Sequence, residues 1–598
     1  MCRADMEERE WDTLDFLFVT GDAYVDHPSF AMALIGRLLE RHGYRVGIVA
    51  QPDWRGTEDF TVMGRPRLGV LVGAGNLDSM LNKRTAGKKT RSSDSYSPGG
   101  RAGLRPDRAT IVYCQKIREI WGSGVPLVVG GIEASLRRFA HYDYWSDTLR
   151  RSILLDSQAD VLVFGMGERQ ILEIARLLDE GYPADALLDV PGTCYVTEDI
   201  GHLSSFVELP SWEAVKGDKK AFAEAFRLAS LEQDPLRGKT LIQRYETRNS
   251  PQPRGNYLVQ LPPALPLTEE MMDEIYDLPY TREWHPRYDG LGGVPALSEV
   301  KFSVTSHRGC FGSCAFCAIH AHQGRIVQAR SHASILREVE NLTRMKDFKG
   351  YIHDIGGPTA NFRHPACLGQ TRRGACRNRE CLFPRSCRHI DTSHADYLEL
   401  LREARAVKGV KKVFVRSGLR YDYLLADGEG GREFLTELCR YHVSGQLKVA
   451  PEHASPLVLR VMRKGDLDRY RKFMELFRAA NQELGKKQYL VPYFMTGHPG
   501  TGLPEAVELA LFAAELEFCP EQVQDFVPTP GSLATCMYYT GLDPFTGEKV
   551  VVVRNPRERG MQRALLQHRA AQNHALAREA LLKAGRGDLI GRLLALKH

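Results

Sequence analysis

Apolar and polar positions along this chain follow two successive rhythms. Over the first third, short apolar runs at 16–20, 44–50, 68–72, 125–129 and 161–164 alternate with stretches of helical spacing such as 30–42. Four of the five runs end in glycines: Gly21, then Gly73 and Gly75, then Gly130-Gly131, then Gly165 and Gly167. Short apolar runs bounded by glycine read as buried strands. Strands alternating with helices predict a doubly wound α/β domain, here over residues 12–185. Ligands in such sheets sit beyond the strand carboxyl ends, where these glycines lie, although tight turns need glycine in any case.

Residues 186–295 lose this regularity. Pro251, Pro253, Pro262, Pro263 and Pro266 recur there, and the stretch reads as an irregular connector. From residue 300 a longer strand–helix repeat begins. Strands are expected at 302–306, 350–355, 412–416, 446–450, 488–494 and 523–527, with helices between them. Six βα units with polar and glycine residues after the strands predict a partial TIM-type barrel over 296–530, whose chemistry belongs at the carboxyl strand ends. Residues 531–598 form an extension that becomes basic and helical after Pro556, with leucines at helical spacing among Arg557, Arg559, Arg563, Arg569, Arg578, Arg586 and Arg592.

Length and composition agree with this layout. A chain of 598 residues needs several cores. Its 43% apolar and 26% charged content is that of an ordinary globular protein. The net charge of +6 is a weak pointer to nucleic acid. The acidic amino terminus carries no apolar signal region, and no apolar run is long enough to span a bilayer. Thirteen cysteines, an odd number clustered in the middle, argue against a secreted disulfide scaffold and for the cytoplasm. The polar segment 83–108 reads as a surface loop. An anion-binding lid using Lys88, Lys89, Arg91 and Arg101 is the sharper alternative.

The chemistry concentrates after the first barrel strand, in SVTSHRGCFGSCAFCAIHAHQGRIVQ. Cys310, Cys314 and Cys317 form a C-x3-C-x2-C triplet. Three thiolates this close on a loop can wrap one small inorganic centre, and soft sulfur favours iron–sulfur clusters or zinc. A four-iron cluster normally takes four cysteines, so three leave one iron open. With His307, His320 and His322 nearby, a structural zinc knot is the bland alternative.

The triplet, with aromatic Phe316 before its last cysteine, resembles the radical S-adenosylmethionine (SAM) signature. The blocks VGGIEASLRRFAHYDYWSD, SHRGCFGSCAFCAIHAHQGR, DIGGPTANF, CRHIDTSHADYLELLR, KVAPEH and QDFVPTPGSLATCMYYTGLDPFTG are similar to the YgiQ-type radical SAM proteins over residues 12–560. The resemblance implies a [4Fe–4S] cluster on Cys310, Cys314 and Cys317 and cleavage of bound SAM to a 5′-deoxyadenosyl radical. That radical would abstract hydrogen from an undefined substrate. It also implies a one-electron reductant of the flavodoxin or ferredoxin type. Gly356 and Gly357 then fall where backbone meets the SAM amine, with Pro358 where the family often has Glu. Arg416 or Ser417 would meet the SAM carboxylate, Glu452 the ribose, and the turn at Gly497 the adenine. The N-terminal domain resembles the cobalamin-binding-like domain that precedes many such barrels. The D-x-H-x-x-G cobalt-ligand motif is missing, since Asp26 and His27 are adjacent, and its absence argues against bound cobalamin.

A second patch, Cys367, Cys376, Cys381 and Cys387, lies in an insert at 363–392 among six arginines. Cationic neighbours favour thiolate, and four thiolates suit either an auxiliary [4Fe–4S] cluster or zinc. Two rival readings remain. One is an RNA-modifying, methylthiotransferase-like enzyme, with RNA as partner. The other is a non-catalytic Fe–S or zinc protein.

Overall fold

A computed structural model describes residues 2–245, 256–520 and 523–594 of the chain; Pro251 and Pro253 lie outside the described residues. The N-terminal half is built on one nine-stranded sheet. Its strands are β1 (Phe16–Thr20), β2 (Val46–Ala50), β3 (Gly69–Gly73), β4 (Leu127–Gly130), β5 (Val161–Val163), β6 (Thr193–Thr197), β7 (Phe206–Leu209), β8 (Thr240–Arg244) and β9 (Tyr257–Gln260). The order across the sheet is β2-β1-β3-β4-β5-β6-β9-β8-β7. The first five strands run parallel. β6 turns antiparallel to β5, with Leu162 opposite Cys194.

Strands buried on both faces read as continuous apolar runs, because each face has its own helical cover. Along β1, Phe16 and Phe18 enter one core with Leu71, Val128 and Val163, and Leu17 and Val19 enter the opposite one with Val70, Val72 and Leu127. Gly21 follows β1 because a Cβ there would sit 2.2 Å from the Ala74 carbonyl oxygen.

The segment 186–295 is not an irregular connector. It contributes four strands that complete the N-terminal sheet. These strands are short and mix polar with apolar residues, as TCYVT and FVEL show. Such a mixture is hard to separate from a proline-rich loop by sequence.

One polar knot holds the amino ends of the first three strands. Asp15 accepts from the Arg45 backbone amide at 2.8 Å, from Arg45 Nε at 3.1 Å and from Arg67 Nε at 2.8 Å. Burial alone would raise its carboxyl, but these hydrogen bonds override it and hold the group down to about 2. A depressed folded-state pKa adds stability at pH values above the ordinary carboxylate range and loses it as pH falls towards 2. In D15N, denaturant midpoints measured from pH 6 to pH 2.5 should therefore fall less steeply with acid than in the wild type. At neutral pH the variant should lose roughly 1–2 kcal/mol, discounted for the exposed arginines.

The C-terminal half is an open arc. Its strands are β10 (Ser303–Thr305), β11 (Tyr351–Ile352), β12 (Asp354–Gly356), β13 (Lys412–Val413), β14 (Gln446–Glu452), β15 (Tyr489–Thr496) and β16 (Gln524–Asp525). β11 and β12 are two halves of one strand position, so six positions follow one another in chain order. All pairings are parallel: β10 with β12, β11 with β13, a bridge from Leu419 to Val449, then β14 with β15 and β15 with β16. Helices His332–Thr343, Ala395–Ala406, Leu467–Glu483 and Leu503–Glu515 cover the outside.

The tail helix Pro556–Leu566 packs Met561, Ala564 and Leu565 against Ala506, Val507 and Ala510 of the last covering helix. Its buried Arg559 donates to Tyr144 Oη at 2.9 Å and to the Phe526 carbonyl, tying N-terminal half to barrel. Three other tail arginines are paired, Arg557 with Glu579, Arg563 with Asp525 and Arg586 with Asp588.

A buried charge cluster makes the second tie between the halves. Arg282, which follows the N-terminal sheet, pairs with Glu338 on a barrel helix, as does Arg330. Arg282 also donates to the Lys301 carbonyl at 2.7 Å and lies 3.0 Å from His27 Nε2. Its pattern in sequence carried no signal of this role. Among the described residues no helix is long and apolar enough to cross a membrane.

Candidate functional site

The loop after β10 leaves the barrel at Gly309, where φ is +84° and a Cβ would lie 2.3 Å from the Ile326 carbonyl oxygen. The chain then folds back on itself, Cys310 N donating to the Gly324 carbonyl at 3.1 Å and Ala315 N to Met462 at 3.0 Å. Cys317 N closes on the Cys314 carbonyl at 3.1 Å. The three thiols face one neighbourhood. Burial pushes the Cys317 thiol up to about 12, and charge on Cys314 and Cys310 adds to the shift. Burial raises Cys310 first, and Cys314 second. As free thiols Cys310 and Cys317 would stay protonated; metal coordination replaces such protons.

Three soft thiolate donors suit an iron–sulfur cluster or a zinc ion. A single zinc would hold its sulfurs about 2.3 Å from one point. Among the described residues no group of three or more His, Cys, Asp or Glu side chains gathers to hold one metal ion. A four-iron cluster takes one thiolate at each corner, so its ligands spread around it.

Arg420 sits beside this loop. Its guanidinium donates to Cys314 Sγ at 3.5 Å and to the Gly312 carbonyl at 3.4 Å, and it pairs with Asp422 at 2.6 Å. Thr359 Oγ1 lies 3.6 Å from Cys310 Sγ. Neither residue stood out in the sequence. Arg420 lies in an ordinary-looking run, LRYDY, and only its burial beside thiols reveals it.

Glu452, at the end of β14, is 5% exposed, with φ of +69°. Its Oε1 is 3.8 Å from Lys464 Nζ, and its Oε2 is buried without a partner. Burial raises its carboxyl, and the Glu452 charge in turn acts on Cys317. His453 Nε2 and His498 Nε2 are also buried and unpartnered. Phe316 meets the His498 ring edge-on at 5.9 Å. A carboxylate and two imidazoles with unused atoms beside a thiol triplet form a cradle for a polar ligand.

A cleft of about 960 Å³ opens between the N-terminal sheet and the barrel. The strand-end glycines Gly73, Gly130 and Gly165 line one side; Gly356, Gly357, Arg416 and Ser417 line the other. A Cβ on Gly357 would lie 2.6 Å from His307 Nε2, so that turn requires glycine. The Ser417 hydroxyl is already committed to Asp354. Gly497 is elsewhere, held by Gln562 at 2.9 Å and pressed against Arg559 of the tail. Lys88, Lys89, Arg91 and Arg101 do not line the cleft; Lys88 Nζ instead lies 4.7 Å over the Tyr144 ring. The Gly165 turn carries a different job from the one its sequence suggested: a Cβ there would approach the His322 carbonyl at 3.3 Å. With the buried Arg308–Glu168 pair it seats the cysteine loop on the N-terminal sheet.

Residues 1–303 match the model described as Radical SAM N-terminal, residues 304–513 that of the Radical SAM superfamily, and residues 521–593 a domain of unknown function, DUF3362. A UPF0313 protein of Clostridium botulinum (strain Loch Maree / Type A3) is 54% identical over 589 residues, covering 98% of this chain and 90% of the relative. One from Clostridium perfringens (strain 13 / Type A) is 52% identical over 592 residues, covering 99% and 88%. Among solved structures, the radical SAM methyltransferase TsrM from Kitasatospora setae, with cobalamin and a [4Fe-4S] cluster bound, has a TM-score of 0.46 at 14% identity, covering 97% of this chain and 99% of that one. The cobalamin-dependent SAM radical enzyme OxsB, with aqua-cobalamin bound, has 0.48 at 10% identity, covering 98% and 77%.

The expectation against cobalamin is overturned by these neighbours, which hold it. The missing D-x-H-x-x-G motif bears on how cobalt would be ligated, not on whether a corrin has room.

Proposed function

This chain belongs to the UPF0313 family within the radical SAM superfamily, and from that premise we propose that it cleaves SAM reductively to a 5′-deoxyadenosyl radical, which removes a hydrogen atom from a carbon of its substrate. The observation that carries the proposal is the loop of three part-buried thiols whose last member, Cys317, feels the charge of Glu452, a buried carboxylate with one unpartnered oxygen. The cluster, when bound, supplies one electron to the sulfonium and leaves a coordination site for the methionine end of SAM.

The chain's own residues bind and orient. Cys310, Cys314 and Cys317 ligate the cluster, and the Arg420 guanidinium offsets their negative charge. Glu452 Oε2 accepts from the ribose hydroxyls. The Gly356-Gly357 backbone lets the SAM amine approach, and Arg416 meets the carboxylate, since Ser417 is already used. Phe316 and His498, which meet edge-on, flank the adenine. The electron comes from a flavodoxin- or ferredoxin-like protein of a reducing cytoplasm. The pairing of the tail arginines with Glu579, Asp525 and Asp588 takes support from the RNA reading, because paired arginines have less charge to offer phosphate.

The test is anaerobic incubation of reconstituted, dithionite-reduced protein with SAM, reading 5′-deoxyadenosine by chromatography. The expected result is product in the wild type, with E452Q raising the KM for SAM roughly tenfold through one lost charged hydrogen bond. Intact SAM with fully loaded protein would reject the proposal in favour of a non-catalytic Fe–S protein.

A further inference from the structure

The insert that follows β12 is absorbed by nothing above. Residues 363–392 contain one short helix, Leu368–Arg373, and no strand. A structureless run of this length inside a compact domain is uncommon unless something orders it. Its own core is thin: Leu382 and Ala366 join Phe311, Val327, Phe362 and Tyr423 in a small apolar cluster, and Cys310 and Cys381 both pack against that cluster. The second cysteine patch therefore stands across the Phe311–Phe362 stack, at 3.8 Å between centroids, from the first.

Main-chain bonds tie the turns that carry these cysteines to one another and to the triplet loop. Cys387 N donates to the Cys381 carbonyl at 2.8 Å. Asp391 N closes the base of the insert on the Ala366 carbonyl at 2.8 Å. Arg325, from the triplet loop, donates to the Cys376 carbonyl at 3.0 Å, and its own carbonyl accepts from Gln370 at 2.9 Å. Cys381 lies within electrostatic reach of Cys367, Cys376 and Cys387 together. Outside the insert, Ala375 N donates to Asp234 at 2.6 Å and Arg377 pairs with Glu232 at 2.7 Å, so the N-terminal half anchors the fold of the insert.

We propose that Cys367, Cys376, Cys381 and Cys387 hold a second [4Fe–4S] cluster, closed by four protein thiolates and separate from the one that binds SAM. Four ligands leave no open iron, so this centre does not take SAM. Four soft thiolates suit an iron–sulfur cluster, and zinc is the competing occupant that the metal count below tells apart. Coordination stitches the insert where apolar burial cannot. The inference rests on the radical SAM reading only for the identity of the first cluster.

The test uses the full chain, reconstituted anaerobically, in three forms: wild type, C310A/C314A/C317A and C376A/C381A. Iron, sulfide and zinc are counted chemically, and the reduced proteins are examined by EPR with and without SAM. The expected counts are about eight irons in the wild type and about four in each variant. The EPR signal of C310A/C314A/C317A should not shift on adding SAM. A wild type with about four irons, all of them lost in C310A/C314A/C317A, overturns the proposal, even if C376A/C381A does not fold. One zinc and no iron in C310A/C314A/C317A overturns it as well. Iron present in C310A/C314A/C317A but lost in C376A/C381A would instead fault the first cluster and leave this one standing.

Discussion

Alanine at Cys314 is expected to abolish SAM cleavage, lowering 5′-deoxyadenosine formation by three orders of magnitude or more, roughly 4 kcal/mol of barrier. The reason is local. Cys314 is the thiol that Arg420 touches at 3.5 Å, and it lies between the other two along a loop whose backbone is pinned at both ends. Removing it leaves two thiols, too few to present a cluster with a single open iron. Far-UV circular dichroism and the melting temperature should change little, because the loop hangs on main-chain bonds from Cys310 to Gly324 and from Ala315 to Met462. The pairing of lost iron with retained fold separates a ligand from a merely structural cysteine. If C314A kept full turnover, the triplet would not be the site of chemistry.

The second large effect is on stability. Glu338 is the shared carboxylate of Arg282 and Arg330, and all three are buried. Burial lowers Arg282 to about 9 and Arg330 to about 10; the Arg330 charge adds to the shift of Arg282, and the Arg363 charge to that of Arg330. Removing the carboxylate strands two guanidinium groups without an anion, which costs about 3–5 kcal/mol for a broken buried pair. E338A should therefore lower the unfolding free energy read from denaturant titration by that amount. Because Arg282 follows the N-terminal sheet while Glu338 rides on a barrel helix, the variant should also lose cooperativity between the halves. E338A melting as a single transition at the wild-type midpoint would rule out this joint.

Much of the architecture could be read from the chain because its signals were local. The barrel positions declared themselves through apolar runs closed by glycine or polar turns, and each expected strand falls within a residue or two of an observed one except β13, which is shorter. The misreading at 186–295 has a physical cause: β6 to β9 are four- and five-residue strands in which polar residues interrupt the apolar ones, so no unbroken apolar run marks them. The cysteine triplet was legible because three thiols at fixed spacing need no tertiary information. Arg420, Thr359 and Arg282 were not, because each acts across more than thirty residues of sequence and nothing beside it marks the contact. Gly165 was legible as a required glycine but not as the seat of the cysteine loop, since a close backbone approach shows only when both strands of the argument are folded.

The continuation of the sheet beyond β5 sets where the N-terminal half can be cut. A fragment ending at residue 185 would halt at the fifth strand and bare the row of amides and carbonyls that β6 otherwise takes. Such a naked edge recruits other chains, so the fragment would aggregate. A self-sufficient piece must run at least to Gln260, the last residue of β9.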